Sequence, residues 1–163
     1  MSEAPFVIRT FEPPDAKDVC EIFYRSVHEV ALAKYAKAQL DAWAPRIPDS
    51  TKWLAALSAF HTYVAADERG KIVAWIAMRP DGYIDMLFCL AEAVGRGAAA
   101  MLYDTIEKIA RSLGLPKMTA HASLLAEPFF AKRGWKVEKH EPHIRNGIDI
   151  PRAEMSKDLS ATR

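Results

Sequence analysis

Apolar residues recur along the chain with two different periods, and each period predicts one type of secondary structure. From Val19 onward they are spaced three or four positions apart, as expected of a helix that ends near residues 35–40. The sequence Trp-Ala-Pro at residues 43–45 interrupts this pattern. Asp49 or Ser50 is positioned to cap a second helix. This part of the chain is therefore predicted to hold two helices.

Segments rich in β-branched and aromatic residues predict four strands in the first half of the chain. These segments are residues 6–9, 62–66, 71–78 and 83–89. The last three are separated by short turns at residues 67–70 and 80–82, and each turn ends in glycine. Because turns of this composition favour hairpins, the three strands are predicted to form an antiparallel meander.

The second half of the chain predicts alternating helices and strands. Helices are expected at residues 98–113 and 122–132, and strands at 117–121, 135–140 and 148–156. Gly114 and Gly134 follow the two helices, and glycine commonly ends a helix. Asn146-Gly147 is a strong hairpin signal between the last two strands. Pro151 predicts that the returning strand lies at an edge of the sheet or carries a bulge.

Composition and charge narrow the class of protein. The 163 residues are 50% hydrophobic and carry a net charge of +1, so one globular core is expected and a nucleic-acid partner is not. No apolar run approaches the ~18 residues of a membrane span, and residues 1–6 lack the apolar stretch of a signal peptide. Cys20 and Cys89 do not make a disulfide framework. A single domain in the reducing cytoplasm, without membrane association, is expected.

The strongest local signal for chemistry is a strand, a glycine-containing turn and a helix in succession. The turn is Val-Gly-Arg-Gly-Ala-Ala at residues 94–99. Backbone N–H groups at the start of a helix have no intrahelical acceptor, and nearby glycines let a phosphate approach them. The turn lacks the spacing of a nucleotide-triphosphate P-loop and the third glycine of G-x-G-x-x-G. From these residues alone, a phosphate site and a plain strand-to-helix connection both remain open.

The order of the predicted elements, together with three motifs, resembles the GCN5-related N-acetyltransferase (GNAT) family over about residues 7–159. The first motif is the turn at 94–99, although Val94 stands where the family usually has Gln or Arg. The second is Ser-Leu-Leu-Ala-Glu-Pro-Phe-Phe-Ala-Lys-Arg-Gly-Trp at 123–135, and the third is the ending Met-Ser-Lys-Asp-Leu at 155–159. The resemblance implies an α/β acyl-CoA N-acyltransferase fold. Its mixed, mostly antiparallel sheet would be flanked by helices in the order β-α-α-β-β-β-α-β-α-β-β.

This resemblance implies that the protein transfers an acetyl group from acetyl-CoA to a primary amine by direct attack in a ternary complex. The acceptor would be a small molecule or a peptide, and a homodimer is open because dimers are common in the family. The pantetheine arm would lie between the fourth and fifth strands, with its pyrophosphate on the turn. The residues implied in coenzyme binding are Leu87, Phe88, Cys89, Gly95, Arg96, Gly97, Ala98, Ala99, Ser123 and Phe130. A non-catalytic acyl-CoA-binding or regulatory module is the alternative function.

A protonated amine must lose a proton before it attacks, so a catalytic base is expected. Asp85 is the first candidate, because strand alternation places it on one face with Tyr83 and Leu87, and an acid in an apolar strand is unusual. His121, two residues before Ser123, is the second candidate. For each candidate the alternative is a structural role, such as an ion pair or a contact with the backbone.

The departing thiolate also needs a proton or other stabilisation, and many relatives use the tyrosine of a Phe-Tyr pair. Phe130 occupies that position here and cannot donate a proton. The alternatives are that a serine, a water molecule, Tyr35 or Tyr103 supplies the proton, or that proton donation contributes little.

The first two predicted helices lie over the acceptor site in the family. They imply Tyr24, His28, Tyr35 and Trp43 as acceptor contacts, each of which could instead belong to the core. No metal is expected, because the pair His140-x-x-His143 lacks further ligands at suitable spacing. Cys89 is interpreted as a small apolar strand residue rather than a nucleophile.

Overall fold

The computed structural model describes residues 5–160, which form a seven-stranded sheet, a two-stranded sheet and five α-helices. Most of the amino-terminal segment considered for a signal peptide lies outside the described residues. The strands are β1 (Val7–Thr10), β2 (His61–Ala66), β3 (Ile72–Met78), β4 (Tyr83–Cys89), β5 (Lys117–Ser123), β6 (Lys136–Glu141), β7 (Ile144–Arg145), β8 (Ile148–Asp149) and β9 (Arg152–Asp158). The helices are α1 (Ala16–Glu29), α2 (Lys37–Trp43), α3 (Ser50–Ala59), α4 (Ala98–Ser112) and α5 (Glu127–Ala131).

The strands of the main sheet lie in the order β1-β2-β3-β4-β5-β9-β6. β2, β3 and β4 are consecutive and antiparallel, which confirms the predicted meander. β4 and β5 pair in parallel, whereas β1, β9 and β6 pair antiparallel with their neighbours. The sheet is therefore mixed and mostly antiparallel, as expected.

Helices cover both faces of the central strands. Every residue of β3 is buried, which requires packing against both faces of that strand. α1 packs against β3 and β4, and α4 packs against β2, β3 and β4. The predicted arrangement of a sheet flanked by helices is confirmed. Within the described residues, we find no helix whose length and apolar character would let it cross a membrane.

The segment between β1 and β2 holds three helices rather than the predicted two. α1 ends at Glu29, earlier than expected, and a 3₁₀ turn at Ala31–Ala33 separates it from α2. The helical pattern predicted a longer helix because it continues through Leu32, but Leu32 is 59% exposed and does not face the core. The side chain of Gln39 accepts a hydrogen bond from the N–H of Ala36, and this contact begins a separate helix.

The closing hairpin also differs from the prediction. Asn146 and Gly147 have positive φ values of 51° and 77°, as a tight hairpin turn requires, but they join β7 to β8. These two strands form a separate sheet, and the strand that returns to the main sheet is β9. Pro151 precedes β9, and β9 lies between β5 and β6. The expectation of an edge strand or a bulge at Pro151 is therefore wrong, because the proline lies outside the strand.

Candidate functional site

β4 and β5 separate after two paired residues, which leaves a fork in the middle of the sheet. Their parallel pairing joins Tyr83 to Thr119 and Ile84 to Ala120. Along the other edge of β4, the register with β3 shifts so that Asp85 is the extra residue of a β-bulge. A bulge bends its strand and increases the local twist, which favours the separation of β4 from β5. The strict alternation expected along this strand is therefore interrupted at Asp85.

The fork opens into a cavity of about 500 Å³. β4 and β5 form one wall, and the other walls come from α1, α3, the segment around the end of α2, and the residues between β6 and β9. Cavities of this size are typical of sites for small molecules. The fork and the cavity together define the candidate active site.

Three side chains form a chain of polar contacts at the fork. The hydroxyl of Tyr83 lies 2.8 Å from Nδ1 of His121, and Nε2 of His121 lies 3.5 Å from a carboxylate oxygen of Glu141. Arg152 donates a hydrogen bond to Glu141 at 3.0 Å, and this contact lowers the pKa of the Glu141 carboxyl. Burial raises the pKa of Tyr83, so its hydroxyl is protonated at neutral pH. Tyr83 can therefore donate to a neutral imidazole that carries its own proton on the nitrogen facing Glu141.

Asp85 lines the same cavity but is held in an ion pair. Nη2 of Arg79 lies 3.1 Å from Oδ1 of Asp85, whose side chain is 18% exposed. The Arg79 guanidinium also lies over the Tyr83 ring, 4.9 Å from its centroid. Asp85 thus has the ion-pair partner that was the alternative to a catalytic role.

Aromatic side chains form a further wall of the cavity. The Phe23 ring lies 5.0 Å from the Phe88 ring and 5.2 Å from the Trp53 ring. Trp43, the last residue of α2, lies 6.3 Å from the Phe88 ring and 5.6 Å from the Tyr35 ring. Because each ring packs against another, this wall is a preformed apolar surface.

Comparison with known proteins agrees with this geometry. A family model described as "Acetyltransferase (GNAT) domain" matches residues 31–159. The chain belongs to the GNAT family of acetyltransferases. This GNAT protein is 34% identical over 134 residues to the Escherichia coli K12 protein "Uncharacterized N-acetyltransferase YafP", a match that covers 82% of this chain and 83% of that one.

Solved structures share the fold of this GNAT acetyltransferase. The GCN5-related N-acetyltransferase "Aminotransferase, Class-II" from Rhodopseudomonas palustris superposes with a TM-score of 0.90 at 31% identity, over 98% of this chain and 99% of that chain. The PaiA N-acetyltransferase of Thermoplasma acidophilum, solved in complex with coenzyme A, superposes with a TM-score of 0.76 at 16% identity. That match covers 98% of this chain and all of the other, and at this identity it supports the fold alone.

The glycine turn of this GNAT protein leads directly into α4. Gly95 and Gly97 have φ values of +81° and +100°, which side-chain-bearing residues rarely adopt. A Cβ atom at either position would meet no atom within 4 Å, so the turn is open on its outer side. The Arg96 guanidinium lies over the Phe6 ring, 5.5 Å from its centroid. The turn at residues 94–97 is exposed and does not line the cavity. Ala98 and Ala99, which begin α4, do not line it either, and they are buried and half-buried respectively.

Four of the other residues implied in coenzyme binding line the cavity. They are Leu87, Phe88, Ser123 and Phe130, whereas Cys89 does not line it. Beyond the fork, the edge of β4 that faces β5 has no partner among the described strands, so its backbone can pair with an extended ligand. Burial raises the pKa of the Cys89 thiol to about 11, which keeps it protonated and agrees with its interpretation as an apolar strand residue.

The two tyrosines considered as proton donors have other partners. Tyr103 is 2% exposed, and its hydroxyl donates to Glu107 and accepts a hydrogen bond from Nε1 of Trp135 at 2.8 Å. The Tyr35 ring lines the cavity, but its hydroxyl donates to the carbonyl of Pro151 and accepts from a backbone N–H. Both hydroxyls are therefore engaged in structural hydrogen bonds.

Two of the four residues implied as acceptor contacts line the cavity, and the other two do not. Tyr35 and Trp43 line the cavity, whereas Tyr24 and His28 do not. The rings of Tyr24 and His28 stack 4.4 Å apart, and Nε2 of His28 lies 2.7 Å from the carbonyl oxygen of Ala44. His28 thus fastens α1 to the segment after α2, which is a structural role.

One cluster near the fork has the residue types of a metal site. His121, Glu141 and Glu154 place ligand atoms within 4.8 Å of one another. Glu141 is already paired with Arg152, and Lys139 lies 3.7 Å from Glu141 and 3.9 Å from Glu154. Because these cations compete with a metal ion for the same oxygens, we interpret the cluster as an ion-pair network.

Sequence reasoning missed Tyr83, Glu141 and the three arginines that line the cavity, Arg46, Arg145 and Arg152. The position of Tyr83 two residues before Asp85 was a usable signal, since both lie in the predicted strand. Strand pairing and loops bring Glu141 and the arginines to the site from distant parts of the chain. No local sequence motif marks contacts of this kind.

Proposed function

We propose that residues 7–159 form one N-acetyltransferase domain, which transfers the acetyl group of acetyl-CoA to a primary amine by direct attack in a ternary complex. The observation that carries this proposal is the fork between β4 and β5, which opens into the cavity beside Tyr83 and His121. Membership of the GNAT family and the relative solved with coenzyme A support it.

In this proposal the open edge of β4 and the glycine turn hold the coenzyme. The backbone of Leu87 to Cys89 pairs with the amides of the pantetheine arm, and one of its N–H groups polarises the thioester carbonyl. Ser123 and Phe130 line the side of the arm that faces β5 and α5. The N–H groups around Gly95 to Ala99 receive the pyrophosphate, because the turn is open and begins a helix.

His121 is the proposed base, with the Tyr83 hydroxyl as the relay to the acceptor. The ammonium group of the acceptor gives a proton to Tyr83 as Tyr83 gives its own proton to Nδ1 of His121. Glu141, 3.5 Å from the other ring nitrogen, stabilises the imidazolium that forms. We prefer His121 to Asp85, because Asp85 is engaged by Arg79 whereas His121 is oriented by a carboxylate.

The remaining protons balance without a tyrosine at position 130. The neutral amine attacks the thioester carbonyl carbon, the C–S bond breaks, and the nitrogen loses its second proton to the departing sulfur. His121 then releases its proton to solvent, so the products are the N-acetyl amine, coenzyme A and one proton. Phe130 needs no hydroxyl in this scheme.

Calorimetry with acetyl-CoA, combined with thiol release over a panel of amines, tests the proposal. The panel contains spermidine, glucosamine, amino acids, aromatic amines and a lysine peptide. We expect binding of acetyl-CoA and release of thiol that depends on at least one amine. Binding without release on any amine would favour a non-catalytic acyl-CoA-binding or regulatory module, and no binding would exclude both functions.

A further inference from the structure

The cavity carries more positive than negative side chains. Arg46, after α2, and Arg145, in β7, are exposed residues that line it, and among the described residues neither has a carboxylate at ion-pair distance. Arg152 lines it as well and is paired with Glu141. Asp85 is the acidic residue of the lining, and Arg79 already neutralises it. Two guanidinium groups are therefore left to bind an anion.

The charges around His143 show the same excess of positive charge in the cavity. His143 lines the cavity between β6 and β7. Burial lowers its pKa first, and the neighbouring charges of Arg152 and Arg145 lower it further, whereas the carboxylate of Glu141 opposes them by a smaller amount. This side of the cavity thus disfavours an added cation and favours an anion.

The apolar wall faces the same space. Phe23, Trp43 and Trp53 line the cavity together with Arg46, which follows Trp43 by three positions. An acceptor that fills the cavity therefore contacts both aromatic rings and guanidinium groups. Because the cavity of about 500 Å³ must also admit the end of the pantetheine arm, the acceptor is a small molecule.

We propose that the acceptor is a small amine that also carries an acidic group, a carboxylate or a phosphonate, on an apolar or aromatic body. Arg46 and Arg145 bind the acidic group through charge-assisted hydrogen bonds, and Phe23, Trp43 and Trp53 contact the body. The amine then points to Tyr83 and His121. This inference rests on the proposed acetyl transfer, and it excludes polyamines and aminoglycosides as preferred acceptors because both are polycations.

Matched pairs of amines test the inference by kinetics. Tryptophan and tryptamine, and phenylalanine and phenethylamine, are compared by kcat/KM for thiol release, with spermidine and kanamycin as polycationic comparators. We expect the acid-bearing member to be preferred by roughly tenfold or more. Arg46→Gln and Arg145→Gln should each remove most of that preference and leave the KM for acetyl-CoA unchanged. Arg69→Gln, an exposed arginine between β2 and β3 that does not line the cavity, is the matched control.

A binding measurement keeps this inference separate from the proposed function. Calorimetry compares indole-3-propionate, which has no amine, with its uncharged amide, on the protein saturated with coenzyme A. We expect the acid to bind more tightly than the amide, and the double variant with Arg46→Gln and Arg145→Gln to lose this difference.

The two proposals can fail separately. If acetyl-CoA binds and no amine is acetylated, the proposed function fails, while the arginine-dependent binding of the acid still supports the anion site. The inference would be overturned by equal binding of the acid and the amide, or by a preference for the amines without an acid. It would also be overturned if the sole effect of the arginine variants were weaker binding of acetyl-CoA.

Discussion

The hydroxyl of Tyr83 lies 2.8 Å from Nδ1 of His121, and this contact joins β4 to β5 at the point where the two strands separate. The strands pair through Tyr83 and Ile84, so the first residues beyond the paired segment already face an open space. Glu141 completes the chain on the side of His121 away from Tyr83. The same feature of the sheet thus opens the cleft and holds a proton acceptor beside it.

Replacement of His121 by Gln is expected to lower kcat by roughly a hundredfold or more, because the acceptor loses the group that takes its proton. The KM for acetyl-CoA should stay within about twofold, since His121 has no proposed contact with the coenzyme. Steady-state kinetics at a saturating amine concentration measure both values.

Two further variants decide whether this loss identifies the base. Asp85→Asn is expected to lower kcat by less than about tenfold, because Asp85 is proposed to act as the partner of Arg79. His140→Gln, which changes a histidine that contacts Glu127 outside the cavity, is the matched control. A larger loss of kcat in Asp85→Asn than in His121→Gln would make Asp85 the base.

Replacement of Tyr83 by Phe removes the relay hydroxyl and keeps the ring, which packs against His121 and Arg79. We expect kcat to fall by roughly ten- to a hundredfold, with little change in thermal stability. Because the scheme routes the proton through this hydroxyl, a kcat equal to that of the wild type would rule out the relay and leave direct transfer to His121.

Position 97 offers a test of the proposed pyrophosphate site in which only charge differs. Gly97→Asn and Gly97→Asp introduce side chains of nearly equal size at a residue with φ of +100°, so both carry a similar backbone strain. We expect Gly97→Asp to weaken acetyl-CoA binding at least about tenfold more than Gly97→Asn, because a carboxylate repels the pyrophosphate. Equal dissociation constants in calorimetry would place the pyrophosphate elsewhere.

Local sequence signals predicted the parts of the fold that depend on neighbouring residues. The meander follows from its turns, and α3 begins where Asp49 accepts a hydrogen bond from the N–H of Thr51. The end of α1 was predicted too late, because the apolar spacing continues through Leu32 although that residue is exposed. Asn146-Gly147 formed the predicted type of turn in the wrong place, since the signal does not specify which strands it joins.

The candidate site was predictable only in part, and the reason is the distance along the chain between its members. Asp85, His121 and the coenzyme-contact residues lie in motifs or strands that the sequence marks. His121 and Glu141 are brought together because β5 and β6 both pair with β9, where Arg152 lies opposite Glu141. Pairing partners of this kind depend on the registers of several strands, and no local pattern encodes them.

Tyr103 is expected to contribute to stability through its buried hydroxyl. Tyr103→Phe leaves the buried Trp135 N–H without a partner and removes one hydrogen bond to Glu107 Oε1, which still accepts from Lys157. The free energy of unfolding should therefore fall by about 1–3 kcal/mol. The half-buried Tyr63, whose hydroxyl has no hydrogen-bond partner within the described part of the chain, supplies the matched control Tyr63→Phe. We expect that control to change stability by less than about 0.5 kcal/mol. Urea denaturation measures both, and equal losses would show that the Tyr103 network adds no net stability.

Stability should also depend on the ionisation of Asp15. The Arg9 guanidinium, which donates two hydrogen bonds to Asp15, lowers the pKa of that carboxyl below its usual value of 3.8. Because the folded state then binds fewer protons than the unfolded state, the contribution is present above about pH 4 and is lost as the pH falls through the folded-state pKa. Asp15→Asn should therefore lower the free energy of unfolding by about 1–2 kcal/mol at pH 7, and the difference from wild type should shrink below pH 4.

Urea denaturation between pH 7 and pH 3 tests this dependence on Asp15, with the exposed Asp104→Asn as control. A difference that stays constant over that range would show that the effect of the substitution does not come from the charge of Asp15.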